Sequence, residues 1–547
     1  MCGAREHVAP NSRPAPAILG AMMTPTLERK GRGPMWWAGL GFGALTLICI
    51  LLYGTLYILD FGVPQTWALP WALFGQEGAR DALISFSEVT VGVLGIALTV
   101  VAIIVELAAN RYTPRITELF LRDPVNGTVL SFFVVTTVLV VWINLSLHAG
   151  NPYPSFMAWG AAGLVSVSLL LILPYFVYVF DFLSPTRVVQ RIQQTATHSL
   201  TRMARKRGSI ERTRTEVIQA IEQLGDVALN SVDKKDKPIA LDCLSALSQI
   251  VVAHIEQKEQ LPQPWFDSAP LVSHDQDFVA LHPDMVRALT DRQTWLEMKV
   301  LRQYQALFTA SVHHLHDVNH MVGIQTRRIA QLSLESNDEA SLQLARRFLN
   351  TYMRATINGR DVRSAYNLLN EYRMLGIVAL EHGRDELALE IAEKLQFYGQ
   401  LAFQSGLAFV LEIVAYDVCT LIEHASEKEA PNHDALLALF LDLDREPEGM
   451  KGQEASLRGV RKAQIKLATY YLVHEKEPRA RQIYEDMKHE KEDRLRSIHQ
   501  ELLDVEDPEY WEVVDRGINF DYLSNERRAT LGRYFGWFEP GAHASES

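Results

Sequence analysis

Apolar and polar positions divide this chain into two parts with different rules. Over the first third, four stretches (36–59, 83–109, 129–147 and 156–180) run apolar on every face. Each is about as long as the roughly 20 residues that a helix needs to cross hydrocarbon. Beyond residue 184 the pattern changes to apolar residues at helical spacing, with sparse Gly and Pro and no strand-like alternation. The pattern predicts an all-α protein: a four-helix transmembrane domain followed by a large cytoplasmic α-helical domain of solenoid or tetratricopeptide-like type. The expected divisions are a disordered tail over 1–34, rich in Pro, Ala, Gly and Arg, and a transmembrane domain over 35–182. A juxtamembrane helical region (183–262), a linker (263–284) and a helical-repeat domain (285–547) follow. Met22, Met23 and Met35 leave a later start open beside Met1.

Basic residues set the expected orientation. Arg29, Lys30 and Arg32 precede the first stretch, Arg111, Arg115 and Arg122 lie between the second and third, and Arg187, Arg191 and Arg202 follow the fourth. The first outer loop carries only Arg80, and the second, 148–155, carries no Lys or Arg. Strict alternation of this kind predicts both termini in the cytoplasm of a multi-pass protein of a bacterial inner membrane. Small residues such as Gly39, Gly92 and Gly163 suit close helix packing in lipid. Pro174 should bend the fourth stretch.

Candidate functional residues cluster on the second stretch and the loop after it. Glu88 and Glu106 are carboxylates within apolar surroundings, where ionisable groups are costly and point to function. Neither sits at the midplane, so interfacial placement or pairing with Arg111 competes with a cation or proton path. After the span, Thr113 fits an N-cap and Pro114 a first helical position. Ile116, Leu119 and Phe120 then share a face, and Pro124 ends the run. This predicts a short amphipathic elbow on the inner leaflet, serving as a coupling element or as a plain connector. Pro114, Arg115, Arg122 and Asp123 are its candidate residues.

The run from Val93 through Glu106-Leu107-Ala108-Ala109-Asn110-Arg111-Tyr112-Thr113-Pro114-Arg115 to Phe120-Leu121-Arg122-Asp123 resembles the bacterial predicted-membrane-protein family called domain of unknown function 2254. A later segment, Ala228-Leu229-Asn230-Ser231 to Asp236-Lys237-Pro238, is also similar to that family. The resemblance spans 36–330 and is strongest over 85–125. It implies four spans in a bacterial inner membrane and no established activity. The chain departs from the family pattern at Glu106, where a neutral polar residue is expected. It departs again after the fourth span, where helical sequence replaces an expected β-rich segment.

In the helical region, Ala355-x3-Gly359-Arg360-Asp361 recurs as Ala379-x3-Gly383-Arg384-Asp385. The Gly fits a helix C-cap and the Asp opens the next helix. Leu375-Gly376-x2-Ala379-x8-Ala388-x3-Ala392 and Leu467-Ala468-x2-Tyr471-x8-Ala480-x3-Tyr484 share a tetratricopeptide-like spacing of small residues. An irregular bundle is the competing reading. The segment 262–283, polar and Pro-containing, predicts a subdomain boundary. The aromatic tail 511–538 is expected to pack back as a cap.

Composition narrows the function. The formal net charge is −12, and most of it lies beyond residue 181, which disfavours nucleic acid. The four cysteines Cys2, Cys49, Cys243 and Cys419 form no motif. His313, His316 and His320 share a face if their segment is one helix. A metal there would need a further ligand, and a solvated helix face is the ordinary reading. No phosphate loop, nucleophile elbow or kinase signature is present. The sequence therefore reads as a non-enzymatic scaffold or sensor without a cofactor or catalytic residues. It would contact the lipid bilayer, bind protein partners through 285–547, and self-associate in one version. The alternative is a small-ion channel or transporter with a cytoplasmic gating or assembly domain.

Overall fold

The computed structural model describes residues 34–61, 76–111, 117, 120–121, 123–145, 155–271, 275–443, 454–510, 516–517 and 519–539. Every regular element among them is helical, as the periodicity predicts. The chain divides into two compact units. One comprises 1–101 with 122–176, and the other comprises 102–121 with 177–547.

The first unit holds most of the apolar helices: α1 (Pro34–Phe61), α2 (Gln76–Arg111), α3 (Pro124–Leu145) and α4 (Ser155–Phe182). Its core joins Val140 and Ile143 of α3 to Met157, Ala161 and Val165 of α4, with Tyr53, Leu56 and Phe86 packed against them. α1 meets α4 at Gly160, where a Cβ would make ordinary contact with the Leu56 side chain at 3.4 Å. Asp60, at the end of α1, accepts from the backbone N–H groups of Phe156 and Met157 at 2.8 Å each. It thereby satisfies donors that the start of α4 leaves open. Asn144 of α3 donates to the Ser87 hydroxyl of α2 at 3.2 Å, an interhelical hydrogen bond. Residues 1–33 of the expected tail, with Cys2, Arg29, Lys30 and Arg32, lie outside the described residues, and Pro34 already belongs to α1.

Length and apolarity alone also admit a helix outside this group. Ile84–Ala109, Pro124–Leu145 and Phe156–Phe182 are apolar enough to cross a membrane, and so is Lys237–Gln260. Burial separates them. Within the protein only 22–28% of the first three is covered, so their apolar faces need lipid, whereas 61% of Lys237–Gln260 is covered by other helices. The latter contains α7 (Lys237–Gln257), a core helix of the second unit that packs on α5 (Pro185–Ala204) and α6 (Ile210–Asp233).

The segment 262–283 is not a linker. Trp265, Phe266, Leu271 and Phe278 are buried, and the second unit runs through it without a boundary. Trp295 Nε1 donates to the Trp265 carbonyl at 2.9 Å, and Arg214 donates to the Pro264 carbonyl at 2.7 Å. After the short helices α8 (Gln276–Val279) and α9 (Pro283–Asp291), Lys299 on α10 (Trp295–Ser311) donates to Asp275 at 2.7 Å and Asp277 at 2.9 Å. Polar, Pro-containing sequence suggested a break. Its few apolar residues instead anchor it, and its carboxylates neutralise an interior lysine.

A regular array follows. Helices α11 (His316–Glu335), α12 (Glu339–Asn358), α13 (Val362–Glu381), α14 (Asp385–Gln404) and α15 (Ala408–Glu427) are each 20 residues long and joined by three-residue turns. The second residue of each turn from α11 onward is left-handed: Asn337, Arg360, Gly383, Gly406 and Glu429, each 23 positions after the last. The residue after each of the five donates to a carbonyl five positions back, as in Asp338 to Ser333 and Arg384 to Ala379 at 2.8 Å. This is the Schellman closure of a helix C-terminus. One helix pair thus occupies 46 residues, compared with 34 in a tetratricopeptide repeat. The two segments with that spacing of small residues do mark close crossings. Ala379, Ala388, Ala392, Ala468 and Ala480 are fully buried, and a Cβ at Gly376 would come within 2.8 Å of the Leu421 side chain. In the first of the two paired turns the left-handed residue is Arg360, and Gly359 remains right-handed.

After α16 (His433–Leu441), helices α17 (Glu454–Val473), α18 (Glu477–Met487), α19 (Glu492–Asp504) and α20 (Asn525–Gly536) close this end. The aromatic tail packs back as expected: Tyr534 is fully buried beside Met487, and Phe520 stacks on Tyr416.

Candidate functional site

The candidates read from sequence do not converge on one site. Glu88 and Glu106 are both exposed on α2. Arg111 ends that helix, and its side chain, like Pro114, Arg115 and Arg122, lies outside the described residues. Asp123 opens α3, where one carboxylate oxygen accepts from the N–H groups of Val125 and Asn126 at 3.1 Å each. Its placement is that of a helix cap. The elbow is more informative. Phe120 is buried edge-on against Phe182, with ring centres 5.7 Å apart, and Arg191 of α5 lies 3.7 Å from the centre of the Phe182 ring. Residues 102–121 belong to the same unit as the helical array.

The histidines also separate. The helix starts at His316, so His313 lies in the preceding turn with φ +72° and does not share the face of His316 and His320. His316 Nδ1 lies 3.4 Å from Asp361, and His320 Nε2 lies 3.7 Å from Glu371. No group able to hold a metal ion occurs among the described residues.

A different set of residues forms a cavity of about 340 Å³ within the second unit. Its walls are α13, α15, α17 and the irregular strap that leads into α20. Tyr416, Asp417, Thr420 and Glu423 follow helical spacing on one face of α15. Arg373 comes from α13, Lys466 from α17, and Arg516, Phe520, Tyr522 and Ser524 from the strap, with Arg527 at the start of α20. Four cations therefore face two carboxylates in the lining.

Most of this charge is matched. Arg516 donates to Asp417 at 2.6 and 3.2 Å and to the Tyr366 carbonyl at 2.5 Å. Its guanidinium also covers the Tyr366 ring at 4.3 Å. Arg527 makes a two-pronged pair with Glu423 at 2.8 and 2.9 Å. Lys466 differs: its ammonium donates to the Phe520 carbonyl at 2.9 Å and has no carboxylate within ion-pair distance among the described residues. Burial pushes it below the usual lysine range, against the nearby Cys419 and Glu423. Burial likewise pushes the Cys419 thiol up, which leaves it protonated and a poor nucleophile.

Sequence reading missed this cavity because its parts come from three helices and a tail, between Arg373 and Arg527. One signal was present. Asp417 interrupts the apolar run Ala415-Tyr416-Asp417-Val418-Cys419, and a carboxylate inside a core helix needs a cation from elsewhere.

Residues 34–259 match the model of a family described as predicted membrane protein (DUF2254). The match covers the elbow and all four apolar helices and extends through α7, so the helices after the fourth span lie within it. It stops short of the residue 330 expected from sequence. No curated protein matches the chain significantly. A solved structure titled "Circular tandem repeat protein with novel repeat topology and enhanced subunit contact surfaces" aligns with 85% of this chain and 96% of its own, at 14% identity and a TM-score of 0.35.

Proposed function

We propose that this predicted membrane protein is a non-enzymatic, membrane-anchored sensor or scaffold. Helices α1 to α4 hold it in a bilayer, read as the bacterial inner membrane with both termini cytoplasmic, and the helical array over 285–547 binds protein partners. The observation that supports this reading is the burial of Phe120 against Phe182. It builds the loop between the second and third spans into the same unit as the array. A change at the membrane face can thereby bias a packed helical body, which an isolated interfacial elbow would not do. The array also leaves Phe397 and Phe409 exposed, two large apolar side chains suited to a partner.

The test places a photo-crosslinking residue at Phe397 and at Phe409 of the full chain in native membranes. Defined protein adducts through these positions are expected. If neither position forms an adduct, and the purified protein in liposomes conducts cations in a way that Glu106→Gln reduces, the channel reading replaces this one.

A further inference from the structure

We propose that the cavity between α13, α15, α17 and the strap is a receptor site for a small organic dianion. This assignment goes beyond anchoring and partner binding and does not depend on either.

Cationic charge exceeds acidic charge in this half-open cavity. Arg527 and Glu423 neutralise each other, as do Arg516 and Asp417. Lys466 and Arg373 remain. Arg373 Nε lies 3.3 Å from the same Asp417 oxygen that Arg516 already holds, and its Nη2 donates to the neutral Asn370 at 2.7 Å. The next carboxylates outward are engaged elsewhere: Asp521 by Lys462 at 2.7 Å and Glu371 by Arg327 at 2.6 Å. The lining thus carries two more positive than negative charges, with Arg373 and Arg516 sharing Asp417. An ammonium with three donors and one protein acceptor, removed from bulk water, is suited to a carboxylate or phosphate oxygen.

Size and walls specify an organic ligand. About 340 Å³ falls at the small end of ligand pockets and exceeds what a bare phosphate fills. Tyr416, Phe520 and Tyr522 supply apolar wall, while the hydroxyls of Thr420 and Ser524 can fix orientation. The strap closes one side. Arg516 and Phe520 pin it to α15, and Lys466 holds its backbone through the Phe520 carbonyl. A ligand that meets Lys466 therefore contacts the residue that tethers the strap, so occupancy should also tighten residues 516–527.

The experiment titrates the purified full-length protein in detergent with succinate, phthalate and phenyl phosphate. Inorganic phosphate and the neutral succinamide serve as comparisons, with calorimetry and amide exchange over 516–527 as readouts. At least one organic dianion is expected to bind more tightly than inorganic phosphate, to slow exchange in the strap, and to lose ten-fold or more in affinity in Lys466→Met. Lys466→Arg should stay within about three-fold of wild type. Arg373→Met provides an independent loss of affinity if Lys466→Met folds poorly. The proposal is overturned if none of the three dianions binds, if succinamide binds as well as succinate, or if both methionine variants bind like wild type.

Discussion

Arg516 and Asp417 form an ion pair at 2.6 Å across 99 residues of chain, with side chains only 5% and 2% exposed. A buried pair contributes little over an apolar pair of the same shape, but its half-removal leaves a lone charge in the core. Asp417→Leu alone should therefore destabilise the C-terminal end by about 3–5 kcal/mol. Adding Arg516→Met should recover part of that loss, since Arg373 also loses Asp417. Amide exchange over 408–427 in the full-length protein measures both. Equal loss in the single and double variants would show that Arg516 holds the strap by other means.

Glu412 supplies a pH test. Burial, with Asp521 adding to it, raises the Glu412 carboxyl above its ordinary value. A raised folded-state value means the folded protein binds the proton more tightly. Stability on this account is greatest below the ordinary glutamate range and falls as pH rises through the shifted value. Glu412→Gln should accordingly stabilise the protein at pH 7 and flatten that fall. The check is urea unfolding of wild type and variant between pH 4 and 8. An unchanged slope would remove Glu412 from the account.

The 23-residue register of left-handed turns predicts substitutions of opposite sign. Gly383 has φ +66° with open space around a Cβ, so Gly383→Ala should cost about 1 kcal/mol from backbone strain alone. Glu429 has φ +53° and bears that strain already, so Glu429→Gly should gain up to about 1 kcal/mol. Thermal unfolding of both variants is the measurement, and a stabilising Gly383→Ala would contradict the register.

Lys299 clamps the segment that the sequence presents as a break. Burial alone would push its ammonium down, but hydrogen bonds and charge from Asp275 and Asp277 outweigh it and hold Lys299 above the usual lysine range. Its contribution is thus complete below about pH 10.5 and lost above the raised value. Lys299→Met leaves Asp275 and Asp277 together with no cation between them. Proteolysis within 262–283 should then be faster than in wild type, while unchanged cleavage would place the anchor in Trp265 and Phe266.

These features were legible to different degrees. The membrane helices follow from long stretches apolar on every face, and the helical character of the rest follows from apolar periodicity, which burial enforces residue by residue. Ala388, Ala468 and Ala480 were legible as crossing points, because a close crossing tolerates only small side chains. The repeat length was hidden. Only Gly383 and Gly406 mark its turns by residue type, while Asn337, Arg360 and Glu429 adopt the same backbone at a cost that sequence does not display. The cavity was least legible, since its charges are brought together from distant helices and a strap, and such pairing has no local pattern. The interior place of α7 was equally hidden, because an apolar helix covered by protein and one covered by lipid share a composition.

That last distinction bears most directly on the account of an apolar anchor carrying a water-exposed helical body. The deciding measurement is labelling of the full-length protein in liposomes with a lipid-soluble carbene probe, mapped by peptide. The account predicts adducts within 84–109, 124–145 and 156–182 and background labelling over 237–260. Adducts over 237–260 matching those of the other three would contradict it, placing α7 in the bilayer and dissolving the core of the second unit.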